Sequence, residues 1–212
     1  MKIAVFGAGG RIGSRIVNEA LNRGIEVTAA VRHPESYPGE RPHLKVVKAD
    51  LFKTQDVETA AFNQDAVVCA YNNTNGAPPS TFSELTIPLI NGLKQAHVKR
   101  LIIIGGAGSL EVKPGLQLVD TPDFTPAYKP GALAHREALK IYQKEKGLEW
   151  TYVSPAAEIA PGERTGSFRT GGNQLITDPN GKSFITMEDL AVAVVDEILN
   201  PQHIRERFTV GY

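Results

Sequence analysis

The chain has 212 residues, of which 42% are hydrophobic and 22% are charged, proportions that are ordinary for a folded globular protein. Lys plus Arg equal Asp plus Glu at 23 each, so the formal net charge is zero. This balance argues against a broad surface for nucleic acid or anionic membranes. The single cysteine, Cys69, excludes an internal disulfide and a sulfur-rich zinc site. Because it lies in an apolar run, we predict a buried strand residue rather than a nucleophile.

No apolar run approaches the length of a membrane span, and the first residues resemble a strand rather than a signal peptide. We therefore expect a cytoplasmic protein whose partner is a small-molecule substrate, with no nucleic acid, membrane or metal. We expect it to be a monomer or a homodimer.

The first 23 residues follow the order strand, glycine turn, helix. Residues 2–6 are a short apolar run, glycines stand at positions 7, 10 and 13, and residues 14–23 place apolar side chains at helical spacing. In this context Gly7 permits a tight turn, Gly10 lets the backbone approach a pyrophosphate, and Gly13 lets the helix pack close to the strand. The free N–H groups at the helix start would then face the phosphates. The pattern predicts a dinucleotide-binding turn; the alternative is a glycine-rich turn without a ligand.

The rest of the chain continues to alternate strands and helices. Further strands are predicted at 26–31, 44–48, 66–70, 100–104, 149–154 and 207–210. Further helices are predicted at 54–62, 81–97, 131–145 and 190–199, with a bend expected at Pro88. This alternation predicts an α/β fold: a Rossmann-type doubly wound parallel sheet with strand order 3-2-1-4-5-6.

Two segments depart from this regular alternation. Residues 111–129 contain several prolines and are predicted to form a long irregular connection. Residues 156–212 are rich in turn signals, and we expect them to form a small C-terminal lobe on the substrate side. Because no linker precedes them, the whole range 1–212 is predicted to be one NAD(P)-binding domain.

The end of the predicted second strand bears on the choice of dinucleotide. Sites for NAD place a carboxylate there, whereas this chain has Arg32, 19 residues after Gly13. A guanidinium pairs with a ribose 2′-phosphate, and Arg11 in the glycine turn would approach the same group. We therefore expect NADPH, with NADH possible; the alternative is that both arginines are solvated surface groups. The residues expected at the cofactor are Gly7, Gly9, Gly10, Arg11, Ile12, Gly13, Arg32, Asp50, Leu51, Ala70, Tyr71, Asn72, Gly105, Gly106, Ser154 and Pro155.

The glycine turn, Arg32, the segment Gly-Gly-Ala-Gly-Ser-Leu at 105–110 and the pair Ser154-Pro155 together carry a family resemblance. The chain resembles the atypical short-chain dehydrogenase/reductase group, and within it the NmrA-like, NADH-flavin reductase (biliverdin reductase B-like) proteins. The resemblance covers essentially the whole chain. It implies dinucleotide binding specifically and the substrate only loosely, because the group contains small-molecule reductases as well as cofactor-binding regulators.

The resemblance implies two candidates for catalytic residues, Ser109 and Tyr128, and the predicted helix 131–145 adds a third, His135. Ser109 would match the serine that family members place beside the nicotinamide; the alternative is that it caps the turn after the glycines. Tyr128 has about the family's separation from the proline of the sixth strand. His135 would donate a proton if it faced the cleft, with exposure on the helix surface as the alternative.

The family's Tyr-x-x-x-Lys pair is not present in its usual form. Tyr142 and Lys146 have the spacing, but Tyr142 stands only 13 residues before Pro155, so both are expected to be surface residues. Four residues after Tyr128 the chain has Ala132 instead of lysine. A proton donor of the usual kind is therefore missing.

This absence favours acceptors whose reduced anion is already delocalised, because a ketone alkoxide needs a positioned acid far more. The sequence thus favours an NADPH-dependent oxidoreductase that transfers hydride to a flavin, a quinone or a similar small acceptor. The alternative is an NADP(H)-binding sensor without strong catalysis. A sugar-nucleotide epimerase or dehydratase is a second alternative, which the short tail weakens.

Overall fold

The computed structural model describes residues 1–71 and 80–212. Its strands are β1 (Lys2–Phe6), β2 (Glu26–Val31), β3 (Leu44–Lys48), β4 (Ala66–Cys69), β5 (Arg100–Ile104), β6 (Glu111–Lys113), β7 (Leu116–Gln117), β8 (Glu149–Pro155), β9 (Glu158–Ala160), β10 (Arg169–Gly171), β11 (Phe184–Thr186) and β12 (Glu206–Gly211). Its α-helices are α1 (Gly13–Asn22), α2 (Thr54–Ala61), α3 (Thr81–Gln95), α4 (Lys129–Lys144) and α5 (Met187–Leu199).

Eight of these strands form one sheet in the order β10-β12-β8-β5-β4-β1-β2-β3. Every neighbouring pair is parallel except β10 with β12. The order 3-2-1-4-5-6 is therefore confirmed, with β8 as the sixth strand. Strands β1, β4 and β5 near the centre are apolar apart from Lys2 and Arg100 at their first positions, because helices cover both faces of the sheet.

Side chains of each strand alternate between two apolar layers. In β1, Ile3 and Val5 belong to one layer, which also contains apolar side chains of α1 and α5. Ala4 and Phe6 point to the opposite face, into a layer shared with α2, α3 and α4. Cys69 is in this second layer and is 3% exposed, which confirms the prediction of a buried strand residue. Burial raises the pKa of its thiol to about 11, so the unreactive thiol form prevails.

The only tryptophan of the chain, Trp150, also lies in the second layer. It is on β8 and is 3% exposed. Its indole N–H donates to the carbonyl oxygen of Glu145 at 3.2 Å. The polar end of this large side chain is thus paired while the ring is buried.

The tail after β8 contributes to the main sheet. Strand β12 pairs with β8 and β10 pairs with β12, and helix α5 packs against α1. In the same tail, β9 and β11 form a parallel pair that is separate from the main sheet. Arg164 lies between β9 and β11 and donates two hydrogen bonds, both 2.8 Å, to the Glu19 carboxylate on α1. That residues 1–212 form one domain, with a lobe made by 156–212, stays a prediction.

The segment 111–129 has more local structure than its prolines suggest. Strands β6 and β7 form an antiparallel hairpin, and short 3-10 turns follow at 118–120 and 126–128. Helix α4 begins at Lys129, two residues earlier than predicted, because Pro130 fits the first turn of a helix. Helix α3 continues through Pro88 from Thr81 to Gln95.

A buried ion pair attaches the end of α5 to the sheet. Arg100 on β5 and Glu197 on α5 lie 2.7 Å apart, and their side chains are 8% and 4% exposed. The same guanidinium donates to the hydroxyl of Thr151 on β8 at 2.7 Å. The backbone N–H of His203 donates to Glu197 at 3.0 Å. Both charges are thus paired and hydrogen-bonded, as buried charges require.

Candidate functional site

The glycine turn after β1 requires glycine at two positions. Gly7 has φ +77, and a Cβ on it would stand 2.6 Å from the carbonyl oxygen of Ala70. A Cβ on Gly13 would stand 2.0 Å from the carbonyl oxygen of Gly7. The N–H of Gly10 donates to that same oxygen at 2.9 Å and closes the turn. Strand β1, the turn and α1 therefore pack more closely than side chains would allow.

The start of α1 presents free hydrogen-bond donors. Within residues 1–71 and 80–212, the backbone N–H groups of Arg11, Ile12 and Gly13 have no acceptor. The carbonyl oxygen of Arg11 is already bound, since it accepts a hydrogen bond of 2.7 Å from the Arg15 guanidinium. Three unpaired N–H groups at the positive end of a helix form an anion-binding site. This arrangement fits the pyrophosphate of a dinucleotide.

Two arginines flank this turn without a carboxylate partner. Arg11 and Arg32 are both exposed, and neither side chain forms an ion pair with any residue that the structure describes. The charge of Arg32 acts on the phenol of Tyr71, whose pKa is raised by burial and lowered in part by that arginine. A cation without an acidic partner is available for an anionic ligand.

The other residues expected at the cofactor follow neighbouring strands of the sheet. Asp50 follows β3, Ala70 follows β4 and Gly105 follows β5, so all of them lie at the carboxyl edge with Gly7. The Asp50 carboxylate accepts the N–H of Phe52 at 3.1 Å. Leu51 is 6% and Ala70 is 7% exposed, while Ser154 and Pro155 are buried within β8. Asn72 lies outside the described residues.

The glycines after β5 make room for Tyr152 on β8 and for side chains of α4. A Cβ on Gly105 would stand 1.9 Å from the Tyr152 ring, and one on Gly106 would stand 3.3 Å from Cδ2 of His135. A Cβ on Gly108 would stand 2.6 Å from Cβ of Ala132. Because Gly106 has no side chain, His135 comes directly against the backbone at the carboxyl edge.

His135 forms two hydrogen bonds with Tyr152 that define its proton state. The Tyr152 hydroxyl donates to the carbonyl oxygen of His135 at 3.0 Å, and the same hydroxyl oxygen lies 3.1 Å from Nδ1. Since the phenol has only one proton and the carbonyl must receive it, Nδ1 carries a proton and donates to the phenol oxygen. Nε2 of the neutral ring therefore has a free lone pair.

Burial lowers the pKa of His135 to about 4. Its ring lies against Phe82, with the ring centroids 3.9 Å apart. Tyr71 packs edge-on against Phe82 at 5.7 Å and against Phe52 at 6.1 Å. A row of aromatic rings thus leads from the segment after β3 to His135, and at neutral pH this histidine accepts hydrogen bonds instead of donating a proton from Nε2.

The two other candidate catalytic residues have different surroundings. Ser109 is 4% exposed, and its hydroxyl oxygen accepts a hydrogen bond of 2.9 Å from Arg207 on β12. The Ser109 carbonyl oxygen accepts another from the same guanidinium at 3.0 Å. Tyr128 is 72% exposed at the start of α4. The structure therefore places His135 against the glycine segment, turns Ser109 toward Arg207 and leaves Tyr128 at the surface; their catalytic roles stay predictions.

The expectation that Tyr142 lies at the surface is wrong. Tyr142 is 1% exposed and packs between Trp150 and Tyr152, with ring centroids 6.5 and 6.1 Å away. Burial raises the pKa of its phenol well above the usual value. Ala134, Ala138 and Tyr142 are all buried at four-residue spacing on α4, a helical periodicity that indicates a buried face, whereas the Tyr-x-x-x-Lys spacing does not. Lys146 is exposed as expected.

Two residues near the site have no motif that would have singled them out. Arg207 reaches Ser109 across 98 positions of sequence. Tyr37 lies in the loop after β2, and its ring reaches the glycine turn beside Gly9. Only the folded chain brings these pairs together.

Comparison with known proteins gives a family model and close relatives. The model, described as NAD(P)H-binding, matches residues 7–201. The chain is 40% identical to Uncharacterized protein YwnB of Bacillus subtilis, over 99% of this chain and 98% of that protein.

Three solved structures are similar to the whole chain. A putative exported protein from Burkholderia pseudomallei is 47% identical with a TM-score of 0.92, covering 100% of both chains. A putative epimerase from Bacteroides thetaiotaomicron is 44% identical with a TM-score of 0.92, covering 100% of this chain and 96% of that one. A putative NADH-flavin reductase from Streptococcus pneumoniae is 34% identical with a TM-score of 0.88, covering 100% of this chain and 99% of that one. Among the described residues, no helix has the length and apolar character needed to cross a membrane.

Proposed function

The chain belongs to the NAD(P)H-binding family, and on that premise we propose that it is an NADPH-dependent oxidoreductase that transfers hydride to a flavin, a quinone or a similar small acceptor. The observation that carries the proposal is the glycine turn: three of its N–H groups have no acceptor, and Arg11 and Arg32 have no ion-pair partner, among the residues that the structure describes. Neutral surroundings would suit any dinucleotide, whereas two cations favour one with an additional phosphate.

The chain's own residues divide the binding task. The N–H groups of Arg11, Ile12 and Gly13 would hold the pyrophosphate, and the Arg11 and Arg32 guanidinium groups would hold the phosphate on the adenosine ribose. The nicotinamide end would lie at the carboxyl edge of the sheet, beside the backbone of Gly105 and Gly106 and near His135. When bound, NADPH supplies the hydride, and the protein supplies position and electrostatics.

The proton state of His135 supports the choice of acceptor. A pKa of about 4 leaves roughly one ring in a thousand protonated at pH 7, so this histidine is a hydrogen-bond acceptor and a poor acid. An acceptor whose reduced anion is delocalised does not need an acid beside it. The name of the Streptococcus pneumoniae relative, a putative NADH-flavin reductase, agrees with this class of acceptor.

Equilibrium binding tests the cofactor half of the proposal. We expect wild-type protein to bind NADPH at least tenfold more tightly than NADH, and Arg32→Ala to remove most of that preference, since a charge-assisted bond contributes about 1.5–3 kcal/mol. Lys45→Ala is the matched control, because it removes an exposed cation at the opposite end of the strands. Equal wild-type affinities for NADPH and NADH would contradict the assignment.

Turnover measurements test the proposed hydride transfer and distinguish it from a second candidate function, an NADP(H) sensor. One observation favours the sensor: none of the three candidate catalytic side chains is placed as a proton donor. His135 is neutral, the Ser109 hydroxyl is bonded to Arg207, and Tyr128 is exposed. NADPH oxidation should be screened with flavins, quinones and aldehydes. Acceleration with flavins or quinones supports the reductase, whereas tight NADPH binding without turnover above the uncatalysed rate supports the sensor.

An epimerase or dehydratase is less well supported, although one similar structure is named a putative epimerase. In the resembled group such chemistry uses a tyrosine whose pKa a nearby lysine lowers. Tyr128 has no lysine four residues later, and burial raises the pKa of Tyr142. Neither phenol is therefore suited to act as that base.

A further inference from the structure

We propose that Tyr37 is a further cofactor-binding residue, whose phenol hydroxyl donates a hydrogen bond to the phosphate on the adenosine ribose of NADPH. The inference rests on the proposed function, because it assumes that NADPH occupies the glycine turn. It assigns a specificity role to a loop residue that belongs to no dinucleotide-binding motif.

The position of the ring is the first observation. A Cβ on Gly9 would have Cδ2 of Tyr37 as its nearest neighbour, at 3.9 Å. The Tyr37 ring is half-buried and packs against the apolar layer that α1 covers. Gly9 stands two residues before Arg11 in the same turn. The ring therefore lies beside the segment whose backbone N–H groups would face the phosphates of the dinucleotide.

The loop that carries Tyr37 is fixed at both ends. The backbone N–H of Tyr37 donates to the carbonyl oxygen of Pro34 at 3.0 Å, which closes a 3-10 turn directly after Arg32 and His33. Farther along, the Arg41 guanidinium donates to the side-chain oxygen of Asn18 on α1. The ring is thus held beside the turn by contacts on either side of it, so little ordering cost remains for the ligand.

The hydroxyl of Tyr37 is free to donate. It has no hydrogen-bond partner among the residues that the structure describes, and it is not enclosed. Burial of the ring raises the pKa of the phenol against the opposing influence of Arg41, so the proton remains in place at neutral pH.

The carboxylates of the same loop each have a hydrogen-bond partner other than Tyr37. The Glu35 carboxylate lies 3.0 Å from Nδ1 of His33, and the Glu40 carboxylate accepts the N–H of Val46 on β3 at 3.2 Å. The Tyr37 hydroxyl thus stands in a loop that also carries the cations Arg32 and Arg41, of which Arg41 acts on the pKa of this phenol. Such a set recognises a phosphate.

The test compares affinities for NADPH and NADH in wild type, Tyr37→Phe, Arg32→Ala and the control Lys45→Ala. Tyr37→Phe keeps the ring on Gly9 and removes only the hydroxyl, so the fold is expected to persist; circular dichroism and the unfolding temperature verify this. We expect NADPH affinity to fall by about tenfold and NADH affinity by less than twofold, because only NADPH carries the phosphate. The fragment 2′-AMP should lose affinity in the same ratio, while 5′-AMP should not.

Each outcome is decisive. If wild type binds neither dinucleotide, the proposed function fails and the inference fails with it. If wild type prefers NADPH and Arg32→Ala removes the preference but Tyr37→Phe does not, the function stands and the role of Tyr37 is overturned. Equal losses for NADPH and NADH in Tyr37→Phe also overturn it, since the hydroxyl would then not distinguish the phosphate.

Discussion

His135 shows how neighbours select the proton state of a single side chain. Tyr152 uses its only proton on the His135 carbonyl oxygen, and this leaves its phenol oxygen as an acceptor for Nδ1–H. Phe82 covers the ring, and burial lowers the pKa of the imidazole to about 4. The residue therefore combines a fixed tautomer with a free Nε2 lone pair near the glycine segment.

This pKa predicts a specific acid sensitivity of folding. Because the pKa of folded His135 lies below the unfolded value of about 6.5, the unfolded state binds more protons between pH 6.5 and 4. The stabilisation from the neutral ring is complete above pH 6.5 and is lost as the pH falls toward 4, by up to about 3 kcal/mol. In urea unfolding, the free energy of unfolding should depend less on pH in His135→Gln than in the wild type. His97→Asn, at an exposed position, should leave the slope unchanged; if it flattens the slope as much, the assignment to His135 is wrong.

Gly13 predicts a second effect of one side chain. In Gly13→Ala the new methyl group would meet the Gly7 carbonyl oxygen at 2.0 Å, and because that oxygen is backbone, the turn itself must shift. We expect loss of NADPH binding and destabilisation of a few kcal/mol, measured by titration and by chemical unfolding. Gly131→Ala is the control, since a Cβ there meets nothing within 4 Å and helical alanine should be neutral or stabilising by up to about 1 kcal/mol. Unchanged NADPH affinity in Gly13→Ala would contradict the proposed use of the turn.

At the scale of elements, helix α5 depends on a buried charge for its attachment. Glu197 near its end pairs with Arg100 and also receives the N–H of His203. Two further ion pairs join α5 to α1, Arg15 with Glu188 at 2.6 Å and Arg23 with Asp196 at 3.1 Å. Element placement here rests on polar contacts as well as on the apolar layers.

Glu197→Gln should therefore be strongly destabilising. The substitution leaves the Arg100 guanidinium buried without a counter-charge, which costs about 3 kcal/mol or more. Glu137→Gln removes half of an exposed pair with Lys140 and should cost less than about 0.5 kcal/mol. Guanidinium unfolding of both variants checks the contrast, and similar losses in the two would refute the role of the buried pair.

Elements defined by a continuous apolar run could be predicted from the sequence, whereas elements fixed by contacts between distant segments could not. The central strands β1, β4 and β5 are apolar apart from Lys2 and Arg100 at their first positions, because both faces are covered. Short runs such as residues 66–69 therefore identify them without any other information. The β6–β7 hairpin could not be predicted, because Glu111 pairs with Asn173 and Leu175 in a distant segment. The burial of Tyr142 follows from the helical period that it shares with Ala134 and Ala138, and the Tyr-x-x-x-Lys spacing contains no information about it. Contacts such as Arg207 with Ser109 have no local signal at all.

For the molecule as a whole, ligand binding and stability are linked. The glycine turn exists only when β1, α1 and Ala70 are assembled, so NADPH is expected to bind the folded chain alone. At one hundred times the dissociation constant it should add about 2.7 kcal/mol, or roughly 5–10 °C in Tm for a chain of this size. Thermal unfolding with NADPH, with NADH at equal concentration and without ligand measures this. A shift of the same size for both dinucleotides, or none for NADPH, would contradict the proposed specificity.

Trp150 gives the protein a built-in optical probe. It is the only indole in the chain, it is 3% exposed, and it lies in β8, one strand from β5 and its glycine segment. An indole shielded from water emits at short wavelength, in the range where a reduced nicotinamide absorbs. Energy absorbed by Trp150 should therefore be transferred to the dihydropyridine ring of a reduced nicotinamide at the carboxyl edge. The emission of that ring would then be observed. Binding and oxidation would then be followed in real time, in the unlabelled protein, from a single emitter at a known position.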